Sequence, residues 1–174
     1  MSAREARKDS SEAAREASRD RLEAARRAAE AARADSVACA AVRLGLQDNY
    51  NAIRANTAAL KFELTVVDSG RSLVPPLYPL NGAWWGVIQE RRPRQLTDSR
   101  RSLALLQAIN RQTSFYIRMA EDREDFRAQN LMNMSETSLT RRLRRYDEML
   151  IFVGTVLCDT LLVEHARLHG WTFE

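Results

Sequence analysis

Residues 37–66 read VACAAVRLGLQDNYNAIRANTAALKFELTV. Cys39, Leu46, Tyr50, Ile53, Thr57, Leu60 and Leu64 recur in steps of three and four, with Arg43 the one clear violation, so the stretch predicts an amphipathic helix. Upstream the same spacing continues through Leu22, Ala25, Ala29, Ala32 and Ser36, but there the stripe is nearly all alanine. Residues 1–69 hold no proline and one glycine, Gly45, so nothing interrupts a helix across both parts. The expectation is a helical arm over residues 1–36 running into a bundle domain over 37–174. Unbroken, that first helix would be on the order of 95 Å long.

The arm is rich in alanine, arginine and glutamate, all good helix formers. Glu12 with Arg15, Glu16 with Arg19, Glu23 with Arg26 and Arg27, and Glu30 with Arg33 stand three or four apart with the acid leading. Each such pair adds roughly 0.2–0.5 kcal/mol. Several in succession hold a solvated helix, yet Leu22 is the one large apolar side chain between Met1 and Val37. An arm of this kind is stabilised by a partner or left in water.

Beyond the helix, Gly70 offers a C-terminal cap and Pro75, Pro76 and Pro79 impose an extended path, so 68–81 reads as a proline-rich loop. Asn81 is then the expected N-cap of a short helix, with Leu80 and Trp85 placed as a hydrophobic staple. Trp84 and Trp85 both fall beside Ile88, so the indole pair first serves to dock the loop, one ring in the core and its neighbour partly open. Pro93 ends the short helix. Thr97, Asp98 or Ser99 caps a third helix through EDREDF at 121–126, and AQNLMNMSETS is the expected break. Ser135 caps the last, about 136–168, with Leu139, Leu143, Tyr146, Leu150, Val153, Leu157 and Leu161 on one face. Gly170 closes it, leaving Trp171 and Phe173 to fold back. No segment alternates with period two, so the fold class is all-α: a long N-terminal helix continuing into a bundle of three long helices and one short one.

The order LQDNYNAIRANTAALKFEL, a proline-bearing loop, PLNGAWWGVI and then LALLQAIN resembles a helical soluble domain of small, often membrane-anchored bacterial proteins of unknown function. The similarity covers about residues 44–120. It implies a helical domain, with Asn49 or Asn56, Leu80, Ala83, Trp84 and Asn110 at the matching positions, and no activity. Members often carry a membrane anchor ahead of this domain, where the present chain has its alanine-arginine helix.

The chain has 174 residues, 45% hydrophobic and 29% charged, with a net charge of +4. Charge is spread along its length, which excludes a nucleic-acid tail or acidic arm of the usual kind. Cys39 and Cys158 are far apart and fit neither a disulfide framework nor a CxxC site; two free thiols suit a reducing compartment. MSAREARKDSSEAARE lacks an apolar core, so no secretory signal is expected there. The apolar run MLIFVGTVLCDTLLV, 149–163, is short and contains Asp159, and reads as a buried helix. The expected location is cytoplasmic, with membrane association through a partner as the alternative.

Cys158, His165 and His169 are spaced seven and four apart, a helical face that would suit a transition metal. The pair reads HARLH and not HExxH. Core packing for the thiol, and partial positive charge at a helix C-terminus for the histidines, is the simpler reading. No GxSxG, glycine-rich phosphate loop or paired catalytic carboxylates are present, and the acids of EDREDF are most simply solvated, so neither catalysis nor a cofactor is expected. Asn49 and Asn56, seven apart, share a face and are placed to hydrogen-bond loop carbonyls. Arg91, Arg92 and Arg94, with Arg141, Arg142, Arg144 and Arg145, could meet phosphates, though the second group also fills the outward faces of an amphipathic helix. The expectation is therefore a non-enzymatic interaction or assembly module, its N-terminal helix pairing as a coiled coil with another copy or another protein. The alternative is a binder of nucleic acid or an anionic membrane surface through the arginine clusters.

Overall fold

A computed structural model describes residues 3–70 and 76–173, with side chains from residue 15 onward. Pro75 and the pairing of Glu12 therefore lie outside the described residues. The chain is all-α. Helix α1 (Ala3–Asp68) is continuous over 66 residues, about 99 Å at 1.5 Å per residue. It is followed by α2 (Ala83–Arg91), the single turn α3 (Arg94–Thr97) and α4 (Arg100–Asn130). The last run, Glu136–His169, comprises α5 (Glu136–Val156), a π-helical turn (Leu157–Leu162) and α6 (Val163–His169).

Its core lies where the lower half of α1 meets α2, α4 and α5. Leu46, Ile53 and Leu60 from α1 are fully buried against Trp84 and Ile88 of α2, Leu106, Ile109 and Tyr116 of α4, and Leu150 and Leu157 of the last run. Burying an aliphatic side chain of this size is worth roughly 1.5–3 kcal/mol, so this stripe holds the bundle. Two glycines set how closely the helices approach. A methyl added at Gly45 would sit 2.8 Å from Trp84 Cβ, and one at Gly154 would sit 2.9 Å from both Ile53 Cγ2 and Thr57 Oγ1. The bare backbone at these points lets α2 and α5 lie directly on α1.

The caps at Ser99 and Ser135 form, their hydroxyls accepting from the Ser102 and Ser138 N–H groups. Gly170 adopts a left-handed φ of 63°. The Trp171 N–H then donates to Ala166 O at 2.9 Å, the closure of a Schellman motif. Folding back, Phe173 stacks on Tyr50 at 5.4 Å. Arg43, the violation in the α1 stripe, is exposed and lies 5.8 Å over the Trp171 ring, a cation–π contact.

Three expectations are corrected and one is extended. Helix α2 begins one residue late, with Gly82 as N-cap, because the Asn81 carbonyl accepts from Asn49 rather than from the first helical turn; the staple from Leu80 to Trp85 is out of register by the same step. Pro93 does end α2, after Arg92 turns left-handed at φ 43°, but it also starts the unforeseen turn α3. Helix α4 absorbs AQN, and the break shortens to Leu131–Ser135. The run Glu136–His169 is long and apolar enough to cross a membrane by length and composition, which the shorter window 149–163 does not indicate; in the bundle, Leu139, Leu143, Leu150, Val153 and Leu157 are buried.

Candidate functional site

Helix α1 holds the proline-bearing loop through two side-chain amides. Asn49 Nδ2 donates to Asn81 O at 2.8 Å while its Oδ1 accepts from Asn81 N at 2.7 Å. Asn56 does the same at Tyr78, with 2.9 and 2.7 Å. Each amide thus replaces a neighbouring strand for one residue of extended chain. The spacing explains the fit: seven helical residues rise about 10.5 Å, and three extended residues span about 10 Å. Both asparagines are buried. The Asn81 side chain then reaches on to the Ala83 N–H at 2.8 Å and helps start α2.

That anchorage fixes the indoles. Trp84 is buried, Trp85 is half-buried, and the two rings meet edge to face at 5.7 Å. Ile88 is buried with Trp84, while Leu77 and Leu80 pack on the same core from the loop. Past the end of α2, the Arg94 N–H donates to Asp35 Oδ1 at 2.7 Å. Among the described residues this is the last hydrogen bond by which the bundle grips the upper part of α1.

From Arg15 to Ala34 every residue of α1 is exposed. Ala17, Ala24, Ala28 and Ala31 prolong the direction taken lower down by Ala38, Val42 and Leu46, while Glu16, Arg19, Glu23, Arg26 and Glu30 occupy the opposite side. Glu23 pairs with Arg27 in the expected order, and Arg26 pairs with Glu30 in the reverse order. Where this arm meets α2 and α3 there are two grooves. One, of about 770 Å³, has a wall of arm alanines facing Glu90, Arg91, Arg92 and Arg94. The other, of about 520 Å³, lies between Val37, Ala38 and Ala41 of α1 and Val87 of α2.

The two arginine clusters differ in setting. Arg91, Arg92 and Arg94 are exposed at the rim of the larger groove. On α5, Arg144 pairs with Glu148 and with Asp68, whereas Arg141, Arg142 and Arg145 are exposed without an ion pair among the described residues.

Cys158, His165 and His169 do not converge. The π-helical turn, which contains Cys158 and precedes both histidines, breaks the 3.6-residue frame that put all three on one face. Cys158 Sγ faces the Tyr50 carbonyl at 3.8 Å, and burial, with Asp159 nearby, pushes its thiol up to about 12. His165 is fully buried beside His169 and Trp171, ring centroids 4.6 and 5.4 Å away. Burial, then the neighbouring His169, drives it down to about 4. His169 is also lowered by burial, and its Nε2 lies 2.8 Å from Ser102 Oγ. Burial thus favours the neutral form of both rings, against the partial positive charge expected of them, and leaves Arg167 as the cation of the last turn. Among the described residues no group of three or more His, Cys, Asp or Glu is placed to hold a metal ion.

Sequence reasoning missed the largest polar feature. The EDREDF turn reads as solvated, yet Arg123 at its centre has no exposed surface. Its Nε donates to Asp147 Oδ1 at 2.6 Å, its Nη2 to Glu63 Oε2 at 2.9 Å and its Nη1 to Glu124 Oε1 at 2.6 Å. Glu63 and Asp147 are as fully buried as the arginine. One guanidinium therefore ties α1, α4 and α5 together. Position alone could have raised the question: Arg123 follows Tyr116 by seven and falls on the same face of α4.

No family model, curated protein or solved structure matches this chain.

Proposed function

We propose that this protein is a non-catalytic helical assembly module, in which the bundle is the body and the upper part of α1 is the element that engages another helix, from a second copy or from a different protein. The reading rests on one observation. Between Arg15 and Ala34 a helix that is core-forming lower down keeps an alanine face on the same side, and no described residue of its own chain covers it. Small side chains allow close helix approach, and the grooves beside α2 extend that face onto the body. Light scattering on the full chain and on a chain lacking residues 1–36 tests it. The full chain should be oligomeric or retain a partner, and the shortened chain should be a folded monomer. Two monomers of equal stability, with nothing retained through the arm, would remove the reading.

A second reading is binding to an anionic surface, nucleic acid or acidic lipid. It is favoured by the exposed Arg141, Arg142 and Arg145 on α5, which have no ion pair among the described residues. It requires binding that weakens steeply as salt is raised; no binding at low ionic strength would eliminate it.

A further inference from the structure

The core contains more buried acid than base. Glu63 from α1 and Asp147 from α5 are fully buried and share the single fully buried guanidinium of Arg123 from α4. From α4, Glu124, partly exposed, takes the third side of Arg123 and is itself paired with Arg127; from α5, the exposed Glu148, paired with Arg144, adds a more distant negative charge beside Asp147. Counting Glu63, Asp147, Glu124, Arg123 and Arg127 as ionised gives three negative charges against two positive. Moreover, Glu63 Oε1 and Asp147 Oδ2 are buried without a hydrogen-bond partner. Excess negative charge and two orphaned acceptors in one buried site are costly. Adding one proton removes the excess and turns one orphaned acceptor into a donor.

We propose that this cluster is a proton-binding site: in the folded protein Glu63 holds a proton that a solvated glutamate would release, and loss of that proton weakens the junction of α1 with α4 and α5. Glu63 is the holder because Asp147 makes the shorter bond to Arg123, 2.6 against 2.9 Å. The electrostatics agree. Burial first, then Asp147, raises the Glu63 carboxyl to about 7, against the opposing pull of Arg123. Asp147 is also raised, again by burial first. A carboxyl whose folded value exceeds its unfolded value of 4.5 contributes stability that is complete below 4.5 and is lost as pH rises toward 7.

The test compares unfolding of the wild-type chain and Glu63→Gln by denaturant across pH 5–8. Between pH 5 and 6.5 the ratio of the wild-type unfolding constant to that of the variant should rise about tenfold per pH unit, the slope for one proton, and should level off above 7. A ratio independent of pH overturns the proposal. Difference infrared spectroscopy on the folded wild type provides a reading that does not depend on the variant folding. A protonated-carboxyl band should be present at pH 6 and lost by pH 8.5. Its absence at pH 6 overturns the proposal, and so does a band that survives in Glu63→Gln but disappears in Asp147→Asn.

Discussion

Helix α1 is one element by its hydrogen bonds and two by its surroundings. Below Val37 it buries Leu46, Ile53 and Leu60 and commits Asn49, Asn56 and Glu63 to partners elsewhere in the chain. Above Asp35 every residue whose side chain is described is exposed, and its ion pairs are with its own i,i+4 neighbours. The backbone geometry is the same, so the contrast separates what helix propensity provides from what packing provides. Propensity and pairs worth tenths of a kcal/mol write the upper half. The lower half depends on long-range contacts and should fail as a unit when one of them is cut.

The largest expected effect is at Arg123. Arg123→Met leaves Glu63 and Asp147 buried without their cation, a loss of about 3–5 kcal/mol, visible as a large fall in the denaturation midpoint. The corresponding change in the arm, Arg26→Met, should leave that midpoint in place. Equal effects would mean that the two halves of α1 are not energetically distinct.

Acid should act on the same lower half. His165 has a folded value of about 4 against an ordinary 6.5, so the fold favours the neutral ring. Its contribution is complete above 6.5 and is lost as pH falls toward 4, up to about 3 kcal/mol at the limit. Glu63 has the opposite sign over much of that range, so the wild-type profile between pH 5 and 6.5 should be flatter than that of either His165→Leu or Glu63→Gln. A wild-type profile as steep as a variant's would sink this balance.

Next come the amides. Asn49→Ala or Asn56→Ala strips a backbone N–H and C=O of both partners at once, at about 1–3 kcal/mol each, and frees the loop that carries Leu77, Leu80 and the indoles. Amide exchange should then quicken at Asn81 or Tyr78 respectively. Exchange unchanged at both positions would show that the loop is held by its apolar contacts instead.

The sequence was most informative where structure is local. The all-α class, the continuity of α1, the serine caps and the Gly170 closure follow from spacing and from single residue types. The asparagine pair was legible because its seven-residue step is itself a length, matched by three residues of extended loop. The charge cluster was not, because nothing within EDREDF distinguishes a solvated arginine from one that meets Glu63, 60 residues earlier. The metal-like trio misled for a related reason: it assumed an unbroken 3.6-residue repeat, and the π-helical turn interrupts it.

The smallest effect on the body is predicted for the arm's alanine face. Ala24→Gly and Ala31→Gly each cost about 1 kcal/mol of helix stability where they stand, so circular dichroism of the full chain should lose helical signal. The body, followed by exchange at the buried Ile53 amide, should be unmoved, since no arm alanine reaches its core. Under the assembly reading the same two substitutions also loosen a close helix–helix seam, and the oligomer or partner should dissociate at higher protein concentration than the wild type does. Helical signal lost with association unchanged would leave the arm as a solvated extension, and the difference between the two halves of α1 would then be one of burial alone.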